Sequence, residues 1–88
     1  MAKTIYRDEY RQLVDQLREK REALGISQAE LARRLDRNQQ WVSLMERGSR
    51  RLDVIEFVEV CVALGSNPIS LIRDIAKSFD PESRGSAE

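Results

Sequence analysis

Apolar residues recur along the chain at intervals of three and four positions, which is the spacing of one face of an α-helix. Between positions 10 and 24 this apolar stripe comprises Tyr10, Leu13, Val14, Leu17 and Leu24. Glycines follow three such stretches, at positions 25, 48 and 65, where many helices end on a residue in the left-handed conformation. The pattern predicts an all-α fold of five helices.

Capping residues set the bounds of the first two helices. Helix 1 is predicted to begin at about Thr4 or Asp8 and to end at Leu24. Helix 2 is predicted to begin at Ser27-Gln28-Ala29-Glu30, which matches a capping box, and to end near Leu35. In that motif the serine oxygen accepts a hydrogen bond from the helix backbone, and the glutamate reaches back to the serine amide.

Three more helices follow after short links. Helix 3 is predicted over Asn38–Arg47 and helix 4 over Asp53–Leu64, each beginning with an N-capping side chain. Glu56 completes a second capping box at the start of helix 4. Helix 5 is predicted over Pro68–Phe79, since proline suits the first position of a helix.

The composition is that of one globular domain, with 88 residues of which 41% are hydrophobic and 34% are charged. Residues 1–79 are assigned to this domain, and the polar tail 80–88 is expected to be disordered. The longest apolar run, Val60–Leu64, is far shorter than the about 20 residues of a transmembrane helix, so no membrane partner is expected. Cys61 has no partner for an internal disulfide, which favours a cytoplasmic protein.

Residues suited to catalysis or metal binding are scarce. The chain contains no histidine, which is the commonest general base and the commonest metal ligand. Cys61 lies among valines on an apolar helix, where burial raises the pKa of a thiol and leaves it unreactive. We therefore expect a protein that is not an enzyme and that has no catalytic residues, no metal, no cofactor and no small-molecule ligand.

The net charge of zero conceals an uneven distribution of charge. Residues 33–51 contain six arginines against two carboxylates, a net +4, whereas residues 53–88 carry a net −4. A basic segment of this kind suits DNA phosphates while the acidic end faces away. The same asymmetry is also compatible with an ordinary solvated surface.

Two short helices joined by a tight turn, and placed between longer helices, suggest a helix-turn-helix. Residues 17–72 resemble the phage repressor and Cro-like family, also called XRE-type, in three motifs. These are Ser27-Gln28-Ala29-Glu30-Leu31-Ala32 at the start of helix 2, Glu46-Arg47-Gly48 at the end of helix 3, and Ala63-Leu64-Gly65 at the end of helix 4. The resemblance implies a compact five-helix bundle of the phage repressor type, in which helices 2 and 3 form the motif and helix 3 enters the DNA major groove.

The resemblance and the polar residues around helix 3 together indicate a DNA-binding surface. The residues expected to read base edges lie on the outward side of the start of helix 3, and they are Gln39, Gln40 and Ser43. The residues expected to contact phosphates are Gln28, Asn38, Arg47, Arg50 and Arg51. An alternative for the two glutamines is that they are merely solvated.

Three residues in and after the turn depart from the family's pattern. Arg37 replaces a residue that is usually aliphatic, and it either reaches toward phosphate or leaves the turn less well packed. Asp36 stands where the family often has glycine, and aspartate tolerates the left-handed conformation moderately well. Trp41 is interpreted either as an aromatic residue at the edge of the core or as a DNA contact through its N–H.

The resemblance also implies a structural ion pair between Arg21 and Glu46. The family commonly has an arginine and a glutamate at these two positions, which form a partly buried pair. Such a pair would lock helix 3 against helix 1, and removing one partner would leave the other charge buried without compensation.

Helices 4 and 5 carry more apolar surface than one core requires. Apolar residues cover roughly 220° of helix 4, whereas one core-facing stripe needs only somewhat more than about 100°. The excess predicts a homodimer whose interface includes Val62, Ile72, Ile75 and Phe79. The alternative is that helices 1 and 5 cover helix 4 within the monomer.

These observations predict a sequence-specific transcriptional regulator that binds a pseudo-palindromic operator in double-stranded DNA as a homodimer. Its size and layout resemble repressors of the Cro/C1 type or restriction–modification controllers. The alternative is an antitoxin, or another protein-binding module, that uses the same fold with little or no DNA readout.

Overall fold

The computed structural model describes residues 8–79, which form five α-helices and a short 3₁₀ turn. The elements are α1 (Asp8–Ala23), α2 (Gln28–Leu35), α3 (Gln39–Glu46), α4 (Val54–Leu64), α5 (Pro68–Ala76) and the 3₁₀ turn (Lys77–Phe79). The predicted all-α fold of five helices is confirmed. The predicted start of helix 1 at Thr4 and the predicted disorder of residues 80–88 fall outside the described residues.

Side-chain caps begin each of the four later helices. The capping residues are Ser27, Asn38, Asp53 and Asn67. At α4 the predicted capping box with Glu56 is complete. At α2 the serine half is present, but the prediction for Glu30 is wrong, since its carboxylate accepts hydrogen bonds from Arg33 and Arg34 instead. Two arginines one turn further along the same helix offer charged donors, which compete successfully with a neutral backbone amide.

The core lies where α1, α2, α3 and α4 meet. The largest fully buried side chains are Leu17, Leu31, Met45, Leu64, Val14, Val42, Val60 and Cys61. Each large apolar side chain removed from water in this way contributes about 1.5–3 kcal/mol to folding. Helix α5 has no fully buried residue, and it packs against α1 and α4 chiefly through the partly buried Leu71.

The turn between α2 and α3 depends on one left-handed residue. Asp36 has φ 59° and ψ 44°, so the aspartate adopts the conformation for which the family often uses glycine. The next amide, that of Arg37, then donates to the carbonyl of Ala32 at 2.9 Å, which closes the end of α2. This tight turn packs α3 against α2, and the first turn of α3 faces solvent.

Candidate nucleic-acid interface

The first turn of α3 presents two glutamines to solvent. Gln39 and Gln40 are exposed, and Ser43 is half-buried one turn further on. None of these three side chains has a hydrogen-bond partner among residues 8–79. The neighbouring Asn38 is differently placed, because its side-chain oxygen accepts from the amide of Trp41 at 2.9 Å and caps the helix. The two glutamine amides are therefore available to a ligand.

The other side of α3 is held by a buried ion pair. Glu46 is 6% exposed, and its carboxylate accepts from Nε and Nη2 of Arg21 at 2.6 and 3.0 Å. Arg21 also donates from Nη1 to the carbonyl of Ile26 at 2.8 Å. The hydrogen bond from Arg21 to Glu46 raises the pKa of the arginine above its ordinary value. This is the pair that the family resemblance implied, and it ties α3 to α1.

Gln28 joins the same buried network. Its side-chain nitrogen donates to Oε1 of Glu46 at 3.0 Å, so the glutamine connects the start of α2 to the end of α3. The sequence predicts this residue as a phosphate contact. In the structure its amide group instead bonds to a carboxylate, so a contact with phosphate would need the side chain to turn or to use its remaining donor.

Several arginines of the basic segment are paired with carboxylates within the protein. Arg33 and Arg34 on α2 pair with Glu30 at 2.7 and 3.0 Å. Hydrogen bonds from these two arginines lower the pKa of Glu30 to about 2, so it remains ionised at any ordinary pH. Arg34 also donates to the carbonyl of Ala63 on α4.

Two further arginines surround Trp41. The guanidinium carbon of Arg37 lies 4.3 Å from the centre of the indole ring, and that of Arg50 lies 5.3 Å from it. Trp41 packs against the edge of the core, and its Nε1 is buried without a hydrogen-bond partner among the described residues. The buried Nε1 favours the edge-of-core interpretation of Trp41 over a DNA contact through its N–H.

Two glutamates of α4 complete this group. Nη2 of Arg50 lies 2.7 Å from Oε2 of Glu56, and Nη2 of Arg37 lies 3.7 Å from the same oxygen. Arg37 is also 3.7 Å from Glu59. We refer to Arg37, Trp41, Arg50, Glu56 and Glu59 as the Trp41 cluster. Its two cations and two anions leave it without net charge.

The Trp41 cluster borders the exposed start of α3. An open surface depression of about 520 Å³ lies there, lined by Asp36, Arg37, Asn38, Gln40, Trp41, Leu44 and Arg50. The two paired arginines thus share one concave surface with Gln40. The structure brings Gln40, Asn38 and Arg50 together, as well as the two further candidates Arg37 and Trp41.

The loop after α3 is fastened to the start of α1. The hydroxyl of Tyr10 donates to the carbonyl of Arg50 at 2.8 Å and accepts from the amide of Leu52 at 3.0 Å. Nη1 of Arg11 donates to the carbonyl of Arg47 at 2.8 Å. Gly48, beside this contact, has φ 77°, a left-handed conformation that favours glycine.

The last two predicted phosphate contacts lie on this fastened loop. The guanidinium carbon of Arg51 lies 4.8 Å from the ring centre of Tyr10. The side chain of Arg47 is exposed and has no partner within residues 8–79. Burial raises the pKa of Tyr10, so its hydroxyl stays protonated and able to donate at neutral pH.

Tyr10, Arg11 and Glu56 contribute to this candidate surface, although the sequence pattern does not assign them to it. The sequence pattern assigns Tyr10 only to an apolar stripe, although a partly buried tyrosine hydroxyl generally requires a hydrogen-bond partner. The sequence pattern assigns Glu56 only to a capping box. One of its oxygens does accept from the amide of Asp53, but the other pairs with Arg50. Arg11 carried no local signal of its contact 36 residues away.

A second surface, on α4 and α5, is apolar and exposed. Val54, Val62 and Ile69 are 75%, 70% and 65% exposed. Of the predicted interface residues, Val62, Ile72 and Phe79 are exposed and Ile75 is half-buried. Helices α1 and α5 therefore leave part of α4 uncovered.

Two other features are absent from the part of the chain that the structure describes, a candidate metal site and a candidate membrane-spanning helix. No group of three or more His, Cys, Asp or Glu side chains in residues 8–79 is placed to hold a metal ion. No helix in the same range is long and apolar enough to cross a membrane.

Comparison with known proteins gives concordant matches. A family model described as "Helix-turn-helix domain" matches residues 12–69. An XRE-family-like protein from Pseudomonas syringae pv. tomato str. DC3000 is 45% identical, with a TM-score of 0.77, over 89% of this chain and 94% of that one. No curated protein sequence gives a significant match.

Two other solved structures are also similar. The restriction–modification controller protein C.AhdI from Aeromonas hydrophila is 31% identical over 74% of this chain and 99% of its own, with a TM-score of 0.65. The clp gene regulator ClgR from C. glutamicum is 27% identical over 80% of this chain and 91% of its own, with a TM-score of 0.69. The chain belongs to the XRE-type family of helix-turn-helix DNA-binding transcription regulators.

Proposed function

We propose that this protein binds a pseudo-palindromic operator in double-stranded DNA as a homodimer, with α3 in the major groove, and thereby regulates transcription. The observation that carries the proposal is the contrast between the two sides of α3. Gln39 and Gln40 are exposed and unpaired, whereas Glu46 is anchored by Arg21 and Gln28. A rigidly held helix with free polar groups on its first turn suits the reading of base edges.

Base readout is assigned to Gln39, Gln40 and Ser43. A glutamine amide can donate to N7 and accept from N6 of one adenine at the same time, and such a bidentate pair discriminates by about 1–3 kcal/mol. The serine hydroxyl can donate or accept, so it adapts to more than one base.

Phosphate contacts are assigned to the residues that surround this helix, namely Gln28, Asn38, Arg47, Arg50 and Arg51. Arg47 is the strongest candidate among them, because its exposed side chain has no partner among the described residues. Asn38 can still offer its amide nitrogen to a phosphate while its oxygen caps α3.

The homodimer is assigned to the exposed apolar surface of α4 and α5, including Val62, Ile72, Ile75 and Phe79. A two-fold symmetric interface there would bury exposed side chains such as Val62 and Ile72. Two recognition helices related in this way read half-sites about 10 base pairs apart. The regulator would repress if its operator overlaps a promoter. The cytoplasmic location stays a prediction.

The alternative function is an antitoxin or another protein-binding module. The exposed apolar surface and the internal pairing of Arg33, Arg34, Arg37 and Arg50 favour it, since both would also suit a protein partner. Selection from a pool of random duplex DNA, at near-physiological salt, separates the two functions. A two-fold symmetric site supports the operator binder. Recovery of unrelated sequences, bound weakly and only at low salt, supports the protein-binding module.

Gln39→Ala tests whether α3 reads the selected site. We expect the affinity for that site to fall by about 1–3 kcal/mol and the preference at one base pair to relax. Gln12→Ala is the matched control, because Gln12 is an exposed glutamine on α1. If both variants bind every sequence as the unaltered protein does, α3 is not the reading helix.

Ile72→Asp tests the dimer surface by analytical ultracentrifugation. We expect it to shift the protein from dimer to monomer, because an unpaired carboxylate would be buried in an apolar interface. Ser70→Asp adds the same charge to an exposed position of α5 and should leave the dimer intact. A monomeric unaltered protein, or a dimer that Ile72→Asp leaves intact, would exclude this interface.

A further inference from the structure

We propose that Glu56 is an intramolecular competitor of DNA phosphate for Arg50. In the free protein its carboxylate holds this arginine in the Trp41 cluster, so a phosphate must displace Glu56 before Arg50 contributes to binding. Glu59 acts in the same way, more weakly, on Arg37. This inference rests on the proposed DNA-binding function and adds to it a residue that limits backbone affinity.

The geometry of the pair supports competition. Nη2 of Arg50 lies 2.7 Å from Oε2 of Glu56, which is a full charge-assisted hydrogen bond. Arg50 also lines the surface depression that Gln40 lines. A duplex whose bases are read by Gln40 therefore brings its backbone to the surface where Glu56 already holds Arg50.

The pair is also exposed enough to open. The side chain of Arg50 is 37% exposed and that of Glu56 is 14% exposed, compared with 11% and 4% for Arg21 and Glu46. Nε of Arg50 is buried without a partner among the described residues, so the pairing with Glu56 does not satisfy every donor of this guanidinium. The face of Trp41 lies beside both arginines and can support either one after it leaves its glutamate.

The pairing has a defined consequence for binding to DNA of any sequence. Each arginine that neutralises a phosphate releases condensed counterions and contributes about −0.9 to the slope of log K against log salt. An arginine that stays with its glutamate contributes no such release. Glu56 thus lowers both the affinity for the DNA backbone and its dependence on salt.

Glu56→Gln is the direct test, measured by fluorescence anisotropy with a random-sequence duplex over a range of salt. The glutamine keeps an oxygen for the amide of Asp53, so the cap of α4 is retained. We expect binding to tighten about two- to fivefold, the range that an exposed ion pair supplies. We also expect the salt slope to steepen, by up to about 0.9 for each bound subunit in which Arg50 otherwise stays with Glu56.

Two controls separate this mechanism from a general change of charge. Asp74→Asn changes the net charge equally at an exposed position of α5, and it should produce a smaller gain and no change of slope. In the Arg50→Ala background Glu56→Gln should lose most of its effect. Equal gains from Glu56→Gln and Asp74→Asn, or a gain that persists fully without Arg50, would overturn the proposal.

Glu59→Gln is a second test that leaves the cap of α4 untouched. Its gain should be smaller than that of Glu56→Gln, because Glu59 lies 3.7 Å from Arg37 and is 53% exposed. Arg37→Ala should abolish that gain, and a gain that survives it would contradict the role of Glu59.

If the unaltered protein binds neither random nor selected duplexes, the proposed function itself fails. A protein that binds DNA but does not respond to Glu56→Gln refutes only the competition.

Discussion

Two arginine–glutamate pairs flank α3, and they differ in burial rather than in contact distance. Arg21 and Glu46 meet at 2.6 Å with side chains 11% and 4% exposed. Arg50 and Glu56 meet at 2.7 Å with side chains 37% and 14% exposed. Because water screens the more exposed pair more strongly than the more buried one, pairs with similar contact distances can have different functions. The inner pair, Arg21 and Glu46, fixes α3 against α1. In the outer pair, Arg50 and Glu56, the arginine can exchange its glutamate for a phosphate.

Arg21→Ala should have the largest effect on stability. It leaves the carboxylate of Glu46 buried with only Gln28 as a partner, and a buried charge stranded in this way costs about 3–5 kcal/mol. Urea denaturation followed by circular dichroism measures the loss. The double variant Arg21→Met/Glu46→Leu, which removes both charges, should recover much of it. A loss below about 1 kcal/mol for Arg21→Ala would show that water reaches the inner pair as easily as the outer one.

The free energy of unfolding at alkaline pH should also report on the protein interior, through the buried thiol of Cys61. The thiol is fully buried, and burial raises its pKa from 9.0 to about 11. The folded state therefore retains the proton more strongly than the unfolded state. The stabilisation is fully present below pH 9, and the free energy of unfolding should fall by about 2–3 kcal/mol between pH 9 and 11.

The Cys61→Ala variant isolates this contribution from other groups that titrate in the same range, Tyr10 among them. It should be less stable at neutral pH, because it leaves a small cavity in the core. Its stability should, however, decline less steeply than that of the unaltered protein between pH 9 and 11. The free energy of unfolding of both proteins is measured by urea denaturation at pH 9 and at pH 11. If it falls equally in the two proteins, the thiol is not the responsible group.

Tyr10→Phe should have an intermediate effect, since Tyr10 connects α1 to the loop that carries Arg50 and Arg51. The change removes two hydrogen bonds, to the carbonyl of Arg50 and from the amide of Leu52, and should lower the free energy of unfolding by about 1–2 kcal/mol. Amide hydrogen exchange at Leu52 should accelerate as well. Leu13→Met, a conservative change on α1, is the control. Unchanged exchange at Leu52 would mean that other contacts hold the loop.

Local signals predict most of the fold, because helix caps and the left-handed residues that end helices depend on only a few neighbouring residues. Ser27, Asn38 and Asp53 each cap the helix that the sequence assigned to them. Asp36 adopts the left-handed conformation, which aspartate tolerates, at the position where the family often has glycine. The choice of partners for the arginines could not be predicted in this way.

The reason is that these partners come from distant segments. Tyr10 meets the carbonyl of Arg50 across 40 residues, and no periodicity encodes that distance. Arg21 and Glu46 are 25 residues apart and were paired only through the family resemblance. A count of charges over residues 33–51 therefore overstates the free positive charge, because three glutamates on α2 and α4 pair with four of its arginines.

Arg50→Ala should have the smallest effect on stability, although it is the same substitution as Arg21→Ala and also leaves a glutamate behind. Glu56 keeps its hydrogen bond to the amide of Asp53, retains Arg37 nearby and is partly reached by water. The free energy of unfolding should therefore fall by less than about 1 kcal/mol, including the lost contact with Trp41. Urea denaturation of the two variants side by side measures the contrast directly. If Arg50→Ala destabilises as much as Arg21→Ala, the outer pair is a structural element like the inner one, and Arg50 is not free to exchange its glutamate for a phosphate.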